Sequence, residues 1–360
     1  MGKVGGRGFT GGRLVRRTQA GLLGVLLAAG CIAAGAAAPP PLFESGETLQ
    51  LTIEAPWSAV LASRNTKQAH AAVVGYVDAS GQSHRIEATV ETRGVTRLRE
   101  CRFPPLRLRF ARAATAGTVF ERQRSLKMVT HCAAGAKYEQ YYVQELLAYR
   151  IYHLVAEHAF RVRPLAVRYV DAKDGKAGEA RFAFLIEDLR ELTRRTGYRE
   201  AREARFSAKD FDAQAMTRFA LFQYLIGNTD WEVLAGPQDD ECCHNVRVIG
   251  ADDPHVRIAV PYDFDSAGMV DAAYAAPHER LPIRRVTQRL FRGFCRHNAA
   301  LPAARRELLE LRTAIFELVR NEPRLDASRR RVLERFLEGA YTVLDSDSLF
   351  AREISAKCRR

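Results

Sequence analysis

The chain has 360 residues, of which 47% are hydrophobic, and a formal net charge of +13. This length suits one large domain or two smaller ones, and the hydrophobic fraction is enough for a substantial core, which excludes an extensively disordered chain. Five of the positive charges lie in residues 1–38, which contain no acidic residue, so +8 of the +13 belongs to the rest of the chain.

Residues 1–38 have the pattern of an export signal. A basic, glycine-rich start precedes the uncharged run "AGLLGVLLAAGCIAAGAAA", which ends in small residues before three prolines. These are the three parts of a signal peptide, and its removal would leave an exported protein in the periplasm or cell envelope. A membrane anchor is the alternative, and Arg16-Arg17 leaves the twin-arginine and general secretion routes both open. "AAGC", ending at Cys31, resembles a lipid-attachment motif, so membrane contact is expected only if Cys31 is lipidated.

Six cysteines follow the signal segment, and an even number in an exported chain favours disulfides. Cys242-Cys243-His244, beside acidic residues, could instead bind a metal, although structural zinc sites usually have wider cysteine spacing. Free thiols are the third alternative. An exported protein is not expected to bind nucleic acid, so its arginines indicate solvated helix faces or attraction for an acidic ligand. The six cysteines are Cys101, Cys132, Cys242, Cys243, Cys295 and Cys358.

Between residues 43 and 135 the sequence is typical of β-strands. Alternation of apolar and polar residues predicts strands at "LQLTIEA" and "IEATVETR", and the turn residues "DASG" predict a hairpin. Two further strands are predicted at "PLRLRF" and "SLKMVTH". A helix is predicted over "YEQYYVQELLAYRIYHLVAEH", and a strand pair then follows at "PLAVRYVDA" and "ARFAFLIED".

From about residue 195 the pattern becomes mainly helical. A helix is predicted over 207–228, ending at Gly227-Asn228, because glycine and asparagine both tolerate a left-handed backbone. A hairpin is predicted at "VRVIG" and "VRIAVPYDF", and long helices near 301–321 and 326–345. The predicted fold class is α+β with a cleft between two lobes. Its predicted parts are the signal peptide 1–38, a β-rich N-lobe 39–192 and a helical C-lobe 193–360 that carries the acidic site.

Acidic residues beside apolar runs indicate a functional site. Buried carboxylates are costly unless they are paired, hydrogen-bonded or bound to a metal. Asp230 follows the predicted helix, and Asp263 and Asp265 follow a predicted strand. A phosphotransferase needs one carboxylate that orients the nucleophile, and a second carboxylate with an amide oxygen that holds Mg²⁺. Asp230, Asn245 and the pair Asp263/Asp265 supply these groups.

Such a site also needs a cation that contacts phosphate. Lys127, on a central-looking strand, is the candidate, and Glu145 on the following helix is expected to hold it in place. The turn at Arg93-Gly94 is expected to approach phosphates as a glycine loop does.

Structural alternatives stay open for these residues. Asp230 could satisfy backbone groups after the helix, and the pair Asp263/Asp265 could flank a tight turn. Lys127 and Glu145 could form an ordinary surface ion pair. Asn245 could be a turn residue, and the neighbouring His244, like His131, is expected to be structural.

These residues carry a resemblance to a known family. The pattern "LFQYLIGNTDW…HN…VPYDFDSAG" resembles the Gly-Asn-x-Asp … His-Asn … Asp-x-Asp signature of the spore-coat CotH-type protein kinases, atypical secreted kinases with a distant protein-kinase fold. The resemblance extends upstream through "VETRGVTRLRECRFPPLRLRF" and covers roughly residues 48–270 in colinear order. The chain is also similar to uncharacterised exported bacterial proteins that share "IGNTDW", "CCHN" and "PYDFD", and this brings no known function.

The resemblance implies a two-lobed atypical kinase-like fold that uses ATP and Mg²⁺ or Mn²⁺. It implies that Asp230 is the catalytic aspartate and that Asp265 and Asn245 bind the metal. It implies a phosphate contact for Lys127, with Arg107 and Arg109 as competing candidates. The chain departs from the family at Ser266-Ala267-Gly268, where the family has Phe-Gly, and in the longer loop between Asp230 and Asn245.

The expected function is metal-dependent phosphoryl or nucleotidyl transfer from ATP to a hydroxyl group. The expected partners are a nucleotide and a protein or small-molecule acceptor. The alternative is a catalytically inactive exported pseudokinase or binding module, which the scarcity of ATP outside the cytoplasm favours.

Overall fold

A computed structural model describes residues 41–78, 81–236, 242–251 and 256–360. The predicted signal peptide, with Arg16-Arg17 and Cys31, lies outside the described residues. Residues Pro39–Arg360 form one compact unit. Among the described residues, no helix combines the length and apolar character that crossing a bilayer requires.

Seven strands close into a barrel in the order β1-β2-β3-β4-β5-β7-β6. Neighbouring strands pair antiparallel, except that β1 and β6 run parallel, from Leu49 opposite Leu165 to Ala55 opposite Asp171. This parallel pair joins the two edges of the sheet. The strands are β1 Leu49–Ala55, β2 His70–Val77, β3 Ser83–Thr92, β4 Leu106–Phe110, β5 Ser125–Val129, β6 Val162–Asp171 and β7 Arg181–Ile186.

The alternation that predicts the strands also explains the barrel. Alternate residues point inward, so that Leu51, Val74 and Leu126 belong to one apolar cluster in the interior. The opposite residues of β5 and β7 point outward, where Phe184 and Ile186 join the larger cluster shared with the helices. The barrel interior is therefore filled by side chains, as expected for a small barrel.

The predicted two-lobed kinase-like fold with a sheet-based N-lobe is wrong. All the strands predicted before residue 187 form, but their sheet is a closed mixed barrel rather than an open lobe. Alternation identifies a strand and its buried face, whereas barrel closure depends on which edge strands meet. The β1–β6 pairing brings together segments more than 100 residues apart, and no local pattern specifies it.

Helices cover one side of the barrel. The 20-residue helix α3 is buried along most of its length, which explains why polar residues such as Gln144 and Glu145 need internal partners. The predicted helix 301–321 is two helices, α6 and α7, which meet at Leu311. The helices are α1 Trp57–Ala62, α2 Thr96–Glu100, α3 Ala136–Val155, α4 Leu189–Thr196, α5 Ala213–Ile226, α6 Leu301–Glu310, α7 Arg312–Arg320, α8 Ala327–Asp345 and α9 Asp347–Glu353.

The predicted hairpin after α5 is confirmed and belongs to a second, smaller sheet. Strands β9 Val246–Gly250 and β10 Arg257–Pro261 pair antiparallel, and β8 Arg199–Glu200 adds to β9. This sheet packs on α5 through an apolar cluster that includes Phe219 and Trp231. The hairpin therefore places the residues just before β9 and just after β10 beside the C-terminal end of α5.

The six cysteines of the unit are paired. Disulfides join Cys101 to Cys132, Cys242 to Cys243 and Cys295 to Cys358. The first connects the residue after α2 to the segment that follows β5, and therefore fixes the short helix α2 against the barrel. The third connects the segment before α6 to the C-terminal residues.

Candidate functional site

Backbone hydrogen bonds hold three loops together at the end of α5. The amides of Gly268 and Met269 donate to the carbonyls of Gly227 and Ile226, both at 3.0 Å, and the Tyr262 amide donates to the Asn245 carbonyl at 3.0 Å. Gly227 has a φ of 64°, which favours glycine. A Cβ on Gly268 would lie 2.5 Å from the carbonyl oxygen of Val286, so this close approach requires glycine.

The first group of site residues, called the acidic cluster here, consists of Glu145, Asp263 and Asp265 around Arg97. The Arg97 guanidinium donates to the two Glu145 oxygens at 3.0 and 3.2 Å. It also lies 2.5 Å from Asp263 Oδ1 and 3.1 Å from Asp265 Oδ2. The side chains of Arg97 and Glu145 are 6% and 0% exposed, so the cluster is closed to water at this point.

The acidic cluster holds three carboxylates and one guanidinium. Burial raises the pKa of Glu145 to about 8, and Arg97 compensates only in part because the other two carboxylates oppose it. Burial and the adjacent Asp263 also raise the pKa of Asp265 to about 6, against the effect of Arg97. For Asp263, Arg97 and Arg93 outweigh the effect of burial, and its pKa is lowered. The cluster therefore contains more negative charge than Arg97 neutralises.

Local structure fixes each carboxylate of the cluster. Asp263 has a φ of 64°, and its amide donates to the Tyr149 hydroxyl at 2.9 Å. The Tyr274 hydroxyl donates to Asp265 Oδ2 at 3.0 Å. Among the described residues, Asp265 Oδ1 has only a long contact, 3.5 Å from the Ser266 hydroxyl. One oxygen of Asp265 is therefore held by Tyr274 and Arg97, and the other remains able to accept from a ligand.

The second group, called the Asp230 triad here, consists of Asp230, His244 and Asn245. His244 Nε2 lies 2.8 Å from Asp230 Oδ1, and the Asn245 amide donates to Asp230 Oδ2 at 3.0 Å. The hydrogen bond to Asp230 raises the pKa of His244, against the effect of burial. The side chains of His244 and Asp230 are 42% and 38% exposed. The Asp230 triad is therefore accessible to solvent, whereas Arg97 and Glu145 are not.

Asn245 is oriented by these contacts. Its side-chain nitrogen donates to both the carbonyl and the carboxylate of Asp230, at 2.9 and 3.0 Å. The amide oxygen therefore points away from Asp230. A φ of 52° places Asn245 in the left-handed region, which asparagine tolerates better than most residues.

The third group, called the basic cluster here, consists of Arg93, Lys127 and Arg247. Lys127 Nζ lies 4.6 Å from the centroid of the Tyr262 ring, and the Arg247 guanidinium lies 5.7 Å from the same centroid. Burial, followed by repulsion from Arg93 and Arg247, lowers the pKa of Lys127 to about 7. Across the described ranges, none of the three side chains has a carboxylate within salt-bridge distance.

The structure brings most of the predicted site residues together but changes one pairing. The predicted contact between Lys127 and Glu145 does not form, because Glu145 pairs with Arg97 on α2. Arg107 lies opposite Lys127 in the sheet and pairs with Glu91 at 3.3 Å. Gly94 adopts a φ of 98° next to Arg93, with open space where a Cβ would lie.

Sequence reasoning missed Arg97, Tyr262, Tyr274 and Arg247. Arg97 follows Arg93 by four residues in "RGVTRLRE", and neither its spacing nor its neighbours distinguish it from the exposed Arg99. Tyr262 precedes Asp263 directly, so an aromatic residue beside two aspartates was the available signal. Tyr274 and Arg247 had no sequence signal, because their roles depend on how the loops meet.

The protein oxygen atoms at this site suit a divalent cation only if a bound molecule supplies further oxygen atoms. Among the described residues, no group of three His, Cys, Asp or Glu side chains is arranged to hold a metal ion. Mg²⁺, however, is commonly bound by one or two carboxylates plus substrate phosphates and waters. Asp265 Oδ1 and the Asn245 amide oxygen are donors of this type. A magnesium ion held by phosphate oxygens would therefore find suitable partners here, whereas an all-protein metal cage would not.

Comparison with known protein families and with curated proteins finds no match to this chain. What the site can do therefore rests on its own geometry. The resemblance to CotH-type kinases stays a prediction.

Proposed function

We propose that the protein binds a nucleotide triphosphate with Mg²⁺ or Mn²⁺ at this site and transfers a phosphoryl or nucleotidyl group to a hydroxyl acceptor. One observation supports this most. The basic cluster and the acidic cluster meet at Tyr262-Asp263, so three cations that have no carboxylate within salt-bridge distance among the described residues lie beside three carboxylates that share one guanidinium. Phosphate oxygens suit the first group, and a divalent cation bridging them suits the second.

In this proposal the basic cluster holds the phosphates. Arg93 and Arg247 lie close enough to Lys127 for their charges to lower its pKa, and a polyphosphate would relieve that repulsion. Arginine and lysine are the side chains that most commonly contact phosphate oxygens. Asp265 and Asn245 would hold the metal ion, which neutralises charge on the phosphates when it is bound.

Asp230 is the residue that contacts the acceptor in this proposal. Its carboxylate is partly exposed, and His244 and Asn245 fix both of its oxygens. A carboxylate held in this way can orient an attacking hydroxyl group and accept its proton. His244 then stabilises the negative charge of Asp230 and keeps the carboxylate in one orientation.

The expectation of export from residues 1–38 remains part of the proposal. The disulfides support it, because such bonds persist mainly in oxidising compartments.

A second candidate function is a binding module without catalysis. The observation in its favour is that Arg97 contacts all three carboxylates of the acidic cluster, so the cluster can serve the fold alone. In that case a ligand would bind to the basic cluster without any requirement for metal.

Thermal unfolding with ATP, in Mg²⁺ or Mn²⁺ and in EDTA, tests the proposal. We expect stabilisation by ATP that depends on metal, and we expect Asp265→Asn to weaken metal-dependent ATP binding at least about tenfold, since a metal ligand is lost. Asp174→Asn is the matched control, because Asp174 lies in the exposed turn after β6, where its carboxylate pairs with Lys176. ATP binding that is equal in EDTA and in Mg²⁺ would favour the binding module. The absence of any ATP binding would contradict the proposed transfer reaction.

A further inference from the structure

A cavity near the acidic cluster takes no part in the proposed chemistry. It is a groove of about 460 Å³ between the start of α3, the segment 271–287 and the start of α8. Its polar lining is dominated by basic side chains. The residues that define this groove, called the basic groove here, are Lys137, Tyr141, Asp271, Arg284, Arg285 and Arg329.

The basic groove carries four cations and one carboxylate. Lys137, Arg284 and Arg285 are exposed. The Arg329 guanidinium lies over the Tyr141 ring, 5.6 Å from its centroid. In the portion of the chain that the structure describes, none of the four cations forms an ion pair with a carboxylate. Clustered cations repel one another unless an anion compensates them, so the groove attracts negative charge.

Two arginines of α7, in contrast, form ion pairs with carboxylates of α8. On the surface shared by α7 and α8, Arg312 pairs with Glu338 at 2.5 Å and Arg320 pairs with Glu334 at 2.8 Å. These two arginines are therefore neutralised by local ion pairs, whereas the four cations of the basic groove lie together with no ion pair among the described residues.

The basic groove and the acidic cluster are connected through the segment around Tyr274 and through helix α3. Tyr274 lies between groove-lining residues, and its hydroxyl donates to Asp265 at 3.0 Å. On α3, Lys137, Tyr141 and Glu145 are spaced four residues apart, so they form one stripe of the helix. At 1.5 Å per residue, Lys137 and Glu145 are about 12 Å apart along the helix axis.

We propose that the basic groove binds an acidic segment of polypeptide, and that this segment belongs to the acceptor of the proposed transfer reaction. The second part rests on the proposed function. The groove would then favour acceptor serine, threonine or tyrosine residues that have acidic residues nearby in the sequence, because the four cations attract the carboxylates of the same peptide.

The lining favours a peptide over a nucleic acid. Ala272, Ala275 and Val286 give the groove an apolar wall that can contact side chains and backbone. Bases bind single-stranded sites by stacking on exposed aromatic rings. The ring of Tyr141 is covered by Arg329 instead, so it is not open for such stacking.

Fluorescence anisotropy with labelled peptides tests the proposal. The probes are peptides that carry one serine and a block of aspartates, with the block either before or after the serine. We expect Arg284→Glu with Arg285→Glu to weaken binding of the preferred peptide at least about tenfold, since each reversal replaces an attraction with a repulsion. The control is Arg296→Glu with Arg306→Glu, which makes the same charge change at exposed arginines outside the groove. This control should bind within about twofold of the unchanged protein.

The outcomes separate this proposal from the proposed function. Peptide binding that persists in Asp265→Asn, while ATP binding is lost, shows that the groove works independently of the nucleotide site. The proposal is overturned if neither peptide binds at about 1 mM, or if the groove and control variants lose affinity equally. It is also overturned if a single-stranded DNA oligonucleotide competes better than the peptide through Arg284 and Arg285. Circular dichroism of both double variants confirms that each is folded.

Discussion

The acidic cluster and the Asp230 triad both place carboxylates at the end of α5, but in opposite surroundings. Glu145 and Arg97 are almost completely buried, and every carboxylate of that cluster contacts the same guanidinium. Asp230 is 38% exposed and is held by a histidine and an amide. Removing a buried partner leaves an uncompensated charge, whereas removing an exposed carboxylate leaves water in its place. The loss of Arg97 from the first group should therefore affect stability most, and the loss of Asp230 from the second should affect the reaction rate most.

The largest expected effect comes from Arg97→Ala. The substitution leaves three carboxylates without their shared cation, and we expect the free energy of unfolding at pH 8 to fall by about 3–5 kcal/mol. The loss should be smaller at pH 5, because the raised pKa values of Glu145 and Asp265 let both groups take up a proton there. Urea denaturation at the two pH values measures the difference.

Arg107→Ala is the control for this substitution. Arg107 is 32% exposed and pairs with Glu91 on the barrel surface, so its loss should lower the free energy of unfolding by less than about 1 kcal/mol. If both variants lost the same free energy of unfolding, the prediction that the buried Arg97 matters more than the exposed Arg107 would be wrong.

Asp230→Asn should have the next largest effect, on rate alone. We expect the turnover rate to fall about 100-fold, equal to about 2.7 kcal/mol, because the amide cannot accept the proton of the acceptor hydroxyl. The free energy of unfolding should change by no more than about 0.5 kcal/mol, since the side chain is partly solvated. Steady-state kinetics, ATP binding and urea denaturation of one preparation provide the measurements. A variant as unstable as Arg97→Ala would show that the Asp230 triad is structural.

The smallest expected effect concerns the pH dependence of Lys127. Its pKa of about 7 means that its positive charge is lost as the pH rises from 6 to 8, so ATP affinity should fall about tenfold across this range. Lys127→Met should bind ATP more weakly at pH 6 and show a flatter profile. Isothermal titration calorimetry at several pH values measures both. An unchanged slope in Lys127→Met would assign the pH dependence to another group.

The lowered pKa of Lys127 also makes stability depend on pH, but stability should rise with pH where ATP affinity falls. The pKa of Lys127 is lowered from 10.5 to about 7 in the folded protein, so the unfolded chain binds more protons between these values. The contribution of Lys127 to the free energy of unfolding therefore rises as the pH increases from about 7 to 10.5. Lys127→Met should remove this rise, which urea denaturation at pH 7 and pH 10 would show.

Local sequence patterns predicted the elements better than their arrangement. The strands before residue 187, helix α3 and the β9–β10 hairpin lie where alternation and helical spacing indicated. The pairing of Lys127 with Glu145 was inferred from the order of elements and is wrong. The break at Leu311 between α6 and α7 was also missed, because no glycine or proline marks it.

The amino-acid sequence by itself determined the positions of the barrel strands, of helix α3 and of the β9–β10 hairpin, the turn at Gly227 and the presence of aspartates after α5 and β10. These features depend on neighbouring residues, since backbone preference and burial periodicity act over a few positions. The tertiary structure alone decided the closure of the barrel, the choice of Arg97 as partner for the carboxylates and the position of the basic groove beside them. Arg97 is 48 residues from Glu145 and 166 from Asp263, so their contact depends on how the whole chain packs. Burial then gives that contact its energy, because a charge excluded from water must be compensated by whichever partner the packing brings close.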